Sequence, residues 1–345
     1  MTRLRLGILL FLGGISTQPL QIAQTTVRVR LFSIEQPSEV RIVTPDVQTV
    51  SLAAKNLTST FRSAGPLTIE RKNFAPVRLP FPIEVSASKG TLVIITEVPL
   101  ETYVASVLAG ESTSFRSDES LKAMAVAART YAAHFLSRHK AEGFDFCDTT
   151  HCQDFRITAL NDRLLKSVTE TESEVILYEE KPIPAYYHQD CGGIPEPKAP
   201  YLRQLQDSFC VARGRLRWSA ELTTSDVRAA LELNGVTRIE VTERSTSGRA
   251  QRLRFTGTDV RVMDAETVRL SIGRAIGWNK LRSDLYEVRR EGDRFIFEGY
   301  GSGHGVGLCQ NGAAAMGEQG LTYKEILAYY YPNTRVVRRQ IVRSE

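Results

Sequence analysis

The residues best suited to chemistry in this 345-residue sequence fall in two groups between Glu111 and Arg156. The first is a lone carboxylate, Glu111, placed directly after the helix-like stretch VPLETYVASVLAG. A single carboxylic acid can give a proton as a general acid and, once ionised, take one as a base, although a glutamate at a helix end is more often a solvated surface residue. That role needs a raised pKa. Burial at a helix C-terminus supplies it, because desolvation and the negative end of the helix dipole both disfavour the anion. The second group is CDTTHC, in which Cys147, His151 and Cys152 offer two thiolates and an imidazole within six residues. With His139 as fourth ligand, or His134 as the second choice, this hook suits zinc, and a closed four-ligand site is structural because it leaves no position for water or substrate. A Cys147 to Cys152 disulfide, with His151 merely hydrogen-bonded, is the competing reading in an oxidising compartment, and free thiols are the third.

Other residues are candidates for a cleft around Glu111. Arg129 and Tyr131 lie in ARTY, where the alternative is a surface arginine and a half-buried tyrosine. Gln153 follows the hook and could present its amide to a sugar hydroxyl or acetamido group. YYHQDCGG puts Tyr187 and His188 at a strand end before a turn at Gly192 and Gly193 that allows close backbone approach. GSGHGVGLCQNG carries His304 among glycines, then Cys309 and Gln310, and lacks the lysine and Ser/Thr of a phosphate-binding loop. Cys309 reads as a packing thiol in a glycine-rich turn, and a thiol hydrolase built from Cys309 and His304 is a weak third reading. Cys191 and Cys210 bracket a glycine- and proline-containing loop that a crosslink would restrain. All five histidines and all five cysteines lie between positions 134 and 309, which points to one site.

The elements that must position these residues are legible in outline. Alternating runs such as VRVRLFSI and TLVIIT predict a β-rich module over residues 24–96. Pro99 opens a helix that Gly110 ends, and a second helix is expected over 118–140, with Ser117 as cap and a buried stripe of Leu121, Met124, Ala125, Ala128, Ala132 and Phe135. Strands follow at VILYEE and AYYHQD. Residues 212–298 read as an inserted α/β region, with a helix at TTSDVRAALELNG and strands at RIEVTER, QRLRFTG and DRFIFEG. In the last helix Thr322 and Glu325 form a capping box, and Pro332 ends it. The resulting class is α+β, with a mixed α/β core over 97–211 and 299–337.

Taken together, VPLETYVASVLAGE, LKAMAVAARTYA, GFDFCDTTHCQDF, YYHQDCGG, PYLR and GSGHGVGLCQNGAAAMGEQGLTYKEILAYYYP resemble the SpoIID/LytB family of bacterial cell-wall proteins, in the same order over residues 98–331. The resemblance implies a SpoIID-like core and a lytic transglycosylase that cleaves the MurNAc–GlcNAc glycan strand of peptidoglycan, with Glu111 as the catalytic glutamate. It also implies an alternative, a non-catalytic peptidoglycan-binding modifier of a cell-wall amidase, and a structural zinc bound by cysteines and histidines near the hook. Two departures stand out. Ser112 and Thr113 replace the usual Met-Pro after the glutamate, and Gln189, Asp190 and Cys191 replace a Ser-Thr-Ser run before the paired glycines.

Composition sets the remaining bounds. With 42% hydrophobic and 24% charged residues the chain is globular by composition. Arg3 and Arg5 precede an apolar run too short to span a bilayer, so residues 1–23 read as a signal peptide and the protein as exported to the periplasm or cell wall, peripheral to the membrane at most. That segment holds two arginines and no acids, and its removal lowers the net charge from +5 to +3. No basic stripe interleaved with aromatics argues for nucleic acid. No organic cofactor is expected.

Overall fold

Alternation makes the strand Thr26–Leu31 amphipathic, with Val27, Val29 and Leu31 buried and the residues between them half-buried. The computed structural model describes residues 25–46, 48–202 and 206–341, so the expected signal peptide lies outside the described residues. Thr26–Leu31 pairs antiparallel with Thr91–Pro99 on one edge and, on the other, parallel with the two-residue strand Phe146–Cys147. The first cysteine of the hook is thereby a member of the N-terminal sheet, which continues outward through Ile83–Ser88 to Phe61–Ser63. A second, four-stranded antiparallel sheet runs Thr49–Ala53, Glu39–Val43, Leu67–Arg71, Phe74–Leu79 and shares one hydrophobic core with the first sheet and with the helices that follow.

The helices of the described residues are α1 (Leu100–Glu111), α2 (Asp118–Phe135), α3 (Asp162–Glu170), α4 (Ser208–Gly214), α5 (Thr224–Leu231), α6 (Ala265–Ile276), α7 (Gln310–Glu318) and α8 (Tyr323–Tyr330), of which α5 and α6 belong to the inserted region and its separate core. With strands in several sheets they make a mixed α+β chain, as the sequence implies. Among the described residues no helix is long and apolar enough to cross a membrane. The central helix is α2, capped by the Ser117 side chain and packed against α1, α3, α7 and α8. Its alanines let the neighbours come close. Ser120 Oγ donates to Ala313 O on α7 at 2.9 Å, and a Cβ on Gly317 of that helix would lie 2.1 Å from the same hydroxyl.

The expected span of α2 is corrected at its C-terminal end. The helix stops at Phe135 rather than 140, because Leu136 takes extended backbone and Ser137 a left-handed φ of 69°. The break turns the chain back through the short 3₁₀ segment Lys140–Glu142, which brings His139 to the hook. The expected capping box of α8 is present. Helix α7 was not expected from its glycine-rich sequence. Cys309 is its N-cap, the sulfur accepting from Gly312 N–H, so this thiol is more than turn packing.

Residues of the inserted region build their own core, with Leu222, Val227, Leu253, Phe255, Ile272 and Phe297 at its centre. Around it stand two three-stranded antiparallel sheets with α5 and α6. Helix α6 and the strands Arg217–Thr223, Val260–Asp264 and Tyr286–Glu291 are additional to the elements expected there. The chain returns from this region through Leu308–Cys309, which pairs in parallel with Tyr187–His188.

Candidate active site

Glu111 is the last residue of α1, and its neighbour Gly110 explains how it is held. A Cβ at position 110 would lie 2.2 Å from Asp154 O, so only glycine lets the segment after the hook cross the end of the helix. From there the Asp154 N–H donates to Glu111 Oε1 at 3.0 Å. Gln310 Nε2, at the start of α7, donates to the backbone O of Glu111 at 3.2 Å and to Oε2 at 3.4 Å. The Tyr187 hydroxyl donates to Oε1 at 3.5 Å. Burial pushes the Glu111 carboxyl above the usual range, an effect that the hydrogen bonds offset in part and the nearby Asp154 charge reinforces.

Behind the acid runs a line of polar groups. Gln153 Nε2 donates to the Tyr187 hydroxyl at 3.0 Å, and Gln153 Oε1 accepts from the Tyr103 hydroxyl at 3.1 Å. This corrects the expected role of Gln153. Its side chain is 1% exposed with both ends of the amide engaged, so it orients Tyr187 rather than meeting a sugar. Arg129 is corrected likewise. It is fully buried, grips the Glu101 carboxylate through Nε at 2.9 Å and Nη2 at 2.5 Å, and bonds the backbone oxygens of Glu174 and Val168. It ties α1, α2 and α3 together.

Tyr131 is corrected too: it is buried, 5% exposed, with its hydroxyl accepting from Arg138 Nη1 at 2.7 Å, so it supports the neighbouring rings rather than meeting a sugar. Its ring packs against Phe135 and Tyr187, with centroids 4.6 and 6.5 Å away, and Phe135 packs against Tyr186 at 5.8 Å. Tyr186, 37% exposed, also meets the edge of His304. The result is an aromatic surface next to the acid. Phe135, Tyr186 and the Asp154 N–H are parts of the site that sequence reasoning missed. The first two were hidden in a stripe and a tyrosine run, and a backbone donor leaves no mark in a sequence.

His188 is buried, and His304 beside it is half-buried. The Nδ1–H of His188 donates to Val306 O at 3.1 Å, and burial holds its pKa well below the usual value. His304 Nδ1 accepts from Val306 N–H at 3.0 Å, which leaves its proton on Nε2, and burial with the Arg269 charge lowers it to about 4. Gly192 and Gly193 are buried at φ 69° and 97°, and a Cβ on Gly192 would lie 2.8 Å from Leu285 Cδ2. They form a covered turn at the inserted region, not a surface for substrate as expected.

The residues of the hook lie close together in the fold. Cys147 Sγ and Cys152 Sγ stand 3.3 Å apart as free thiols, and His151 Nδ1 is 3.6 and 3.7 Å from them. His139 Nε2 is 3.4 Å from Cys152 Sγ, and its Nδ1–H donates to Glu142 Oε1 at 2.6 Å. All four potential ligand atoms lie within 4.8 Å of one another. His134 is not among them, since its Nδ1 donates to Pro182 O. The chain runs from this cluster directly into Gln153, which orients Tyr187, and Asp154, whose N–H holds Glu111.

Residues 88–178, which include Glu111 and the whole hook, match the family described as Stage II sporulation protein (SpoIID). The chain is 30% identical over 272 residues to an uncharacterized protein of Brachyspira hyodysenteriae, an alignment covering 74% of this chain and 71% of that one. It is 24% identical over 280 residues to Stage II sporulation protein D of Bacillus subtilis, covering 74% of this chain and 79% of the relative. To the Amidase enhancer of Bacillus subtilis it is 25% identical over 282 residues, covering 66% of this chain but only 39% of that longer protein. The chain belongs to the SpoIID/LytB family. Residues 202–307 match a separate domain family of unknown function, DUF8618. The SpoIID match thus supplies the acid and the hook, while Tyr187 and Gln310, which complete the surroundings of Glu111, lie beyond it.

Proposed function

We propose that this SpoIID/LytB protein has a cell-wall-related function as a lytic transglycosylase of peptidoglycan glycan strands, with Glu111 as its one catalytic residue. The observation that carries this reading is the half-buried carboxyl at the end of α1, aimed by Asp154 N–H, Gln310 and Tyr187 beside an aromatic surface whose exposed member is Tyr186. The names of the relatives, a sporulation protein and an amidase enhancer, support a role at the cell wall. In the reaction, protonated Glu111 gives its proton to the glycosidic oxygen as the bond from that oxygen to C1 of MurNAc breaks. The resulting carboxylate takes the proton of the MurNAc C6 hydroxyl, and O6 closes on C1 to leave a 1,6-anhydro end. The glutamate returns to its acid form, so no second carboxylate is needed. Asp154 offers none, because its carboxylate pairs with Arg156 at 2.9 Å. A sugar ring would stack on Tyr186, the exposed member of that surface.

The donor set of the hook fits zinc: two sulfurs and two imidazole nitrogens converge, and Glu142 fixes His139 with Nε2 as its free nitrogen. Under this reading His139, Cys147, His151 and Cys152 hold a structural ion that anchors the segment carrying Gln153 and Asp154.

The test is mass spectrometry of peptidoglycan fragments after incubation with the purified chain. Anhydro-MurNAc ends are expected. Reducing ends would make it a hydrolase, and intact strands that still bind the protein would favour the amidase modifier, for which the Ser112-Thr113 departure after Glu111 is the specific observation.

A further inference from the structure

A second cluster of thiols stands apart from the acid and the hook. Cys191, Asp207, Cys210 and Cys309 are all buried, and one ligand atom from each lies within 4.8 Å of the others. They come from three stretches of chain: the turn after Tyr187–His188, the N-cap and third residue of α4, and the N-cap of α7. The cysteines of this chain are therefore divided, two in the hook and three here, with none left elsewhere. We propose that Cys191, Asp207, Cys210 and Cys309 form a second structural metal site, for a thiolate-preferring divalent cation such as Zn²⁺, that clamps α4 and the base of the inserted region to the start of α7.

Spacing is the first support. Ligand atoms at about 2.0–2.3 Å from a tetrahedral ion stand roughly 3.3–3.8 Å from one another, and Asp207 Oδ2 is 3.4 Å from Cys191 Sγ. Second, each sulfur faces N–H donors, as metal-bound thiolates do. Gly193 N–H points at Cys191 Sγ at 3.3 Å, while Cys191 N–H and Gly312 N–H point at Cys309 Sγ at 3.3 and 3.5 Å. Asn311 Nδ2 reaches Cys210 Sγ at 3.6 Å. The carboxylate is oriented in the same manner, Oδ1 accepting from Cys210 N–H at 2.9 Å and Oδ2 from the Tyr330 hydroxyl at 2.8 Å. Third, the space is kept open: a Cβ on Gly312 would lie 2.0 Å from the Tyr330 hydroxyl and 2.7 Å from Asp207 Oδ2.

Chemistry separates this site from the crosslink suggested by the sequence. A Cys191 to Cys210 disulfide would consume two thiols and leave Cys309 and the buried Asp207 without a partner cation, whereas one divalent ion satisfies all four groups. Arg249, whose Nη2 donates to Cys191 O at 2.6 Å, offsets part of the negative charge that three thiolates and a carboxylate leave around a divalent ion. Four protein ligands leave no open position, so the ion is structural. Its position matters to the acid, because Cys309 immediately precedes Gln310.

The test compares zinc bound per chain, by mass spectrometry of the metal, between wild type and Cys191→Ala/Cys309→Ala, both purified with zinc and checked for folding by circular dichroism. The variant should hold about one equivalent less and melt at lower temperature. Unchanged zinc in a folded variant overturns the proposal. If the variant does not fold, anomalous diffraction at the zinc edge from wild-type crystals decides: a peak between the four residues is expected, and no peak there overturns it. A Cys191 to Cys210 bond found by peptide mapping without reductant also overturns it. The hook has different ligands, so failure of its zinc leaves each of these outcomes intact.

Discussion

Two residues with opposite fates illustrate how burial decides a role. Glu111 is partly desolvated and faces the Asp154 N–H, Gln310 and Tyr187, and Glu111→Gln keeps its shape while removing the transferable proton. Cleavage should fall by about 10²–10⁴-fold or more, read as the rate of anhydro-end release, with far-UV circular dichroism unchanged. The sign of its stability effect follows from the raised pKa. A folded state that holds the proton more tightly than the unfolded chain gains stability that is full below the ordinary carboxyl pKa and is lost as pH rises through the raised value. Glu111→Gln should therefore match wild type in melting temperature near pH 4 and equal or exceed it at pH 7.5. A wild-type advantage that grows with pH would contradict the burial argument. Arg129 is the reverse case. Its charge is fully buried against Glu101, which keeps a fifth of its side chain exposed. Arg129→Ala should cost about 3 kcal/mol, the low end for breaking a buried pair, measured by urea denaturation.

At the scale of elements, the crossing of α1 by the segment after the hook is the decisive contact. Replacing a helical glycine by alanine ordinarily stabilises by roughly 0.5–1 kcal/mol. Gly110→Ala should instead destabilise by about 1–3 kcal/mol, since the new methyl meets the Asp154 carbonyl and overpacks the contact. It should also slow cleavage by displacing the Asp154 N–H from Glu111. The sequence announces such helices well where local signals exist: Pro99 before α1, Ser117 before α2, the Thr322–Glu325 box before α8. It hides α7, because glycines and alanines give no amphipathic pattern and a cysteine is an unusual cap. The candidate site is legible to the same extent. Glu111 and the hook are compact in sequence, and His139 reaches the hook only through a left-handed Ser137 that no spacing reveals. Arg129 and Gln153 look like sugar ligands because type and position do not disclose that their polar ends are already occupied inside the protein. The three-cysteine cluster escapes notice because its members are separated by up to 118 positions.

For the whole molecule, the hook couples the N-terminal sheet to the acid. Phe146–Cys147 is a strand of that sheet, and the next residues after Cys152 hold Glu111. With zinc bound there, chelation of the purified protein should lower its melting temperature and reduce glycan cleavage together, and both should return on adding zinc, because binding free energy is part of folding free energy. Cys152→Ser should reproduce the loss and resist rescue. The short ladder between Tyr187–His188 and Leu308–Cys309 has a different consequence. Glu111 and Gln310 are 199 positions apart, so the acid is made in synthesis well before its amide partner. A ribosome delivers the N-terminal part first, and closing so long a loop waits on the whole intervening region. A product terminated ahead of residue 308 would carry the glutamate without Gln310 or the returning strand. Under the proposed function such fragments should release no anhydro ends from glycan, so chain order itself would keep unfinished copies inactive.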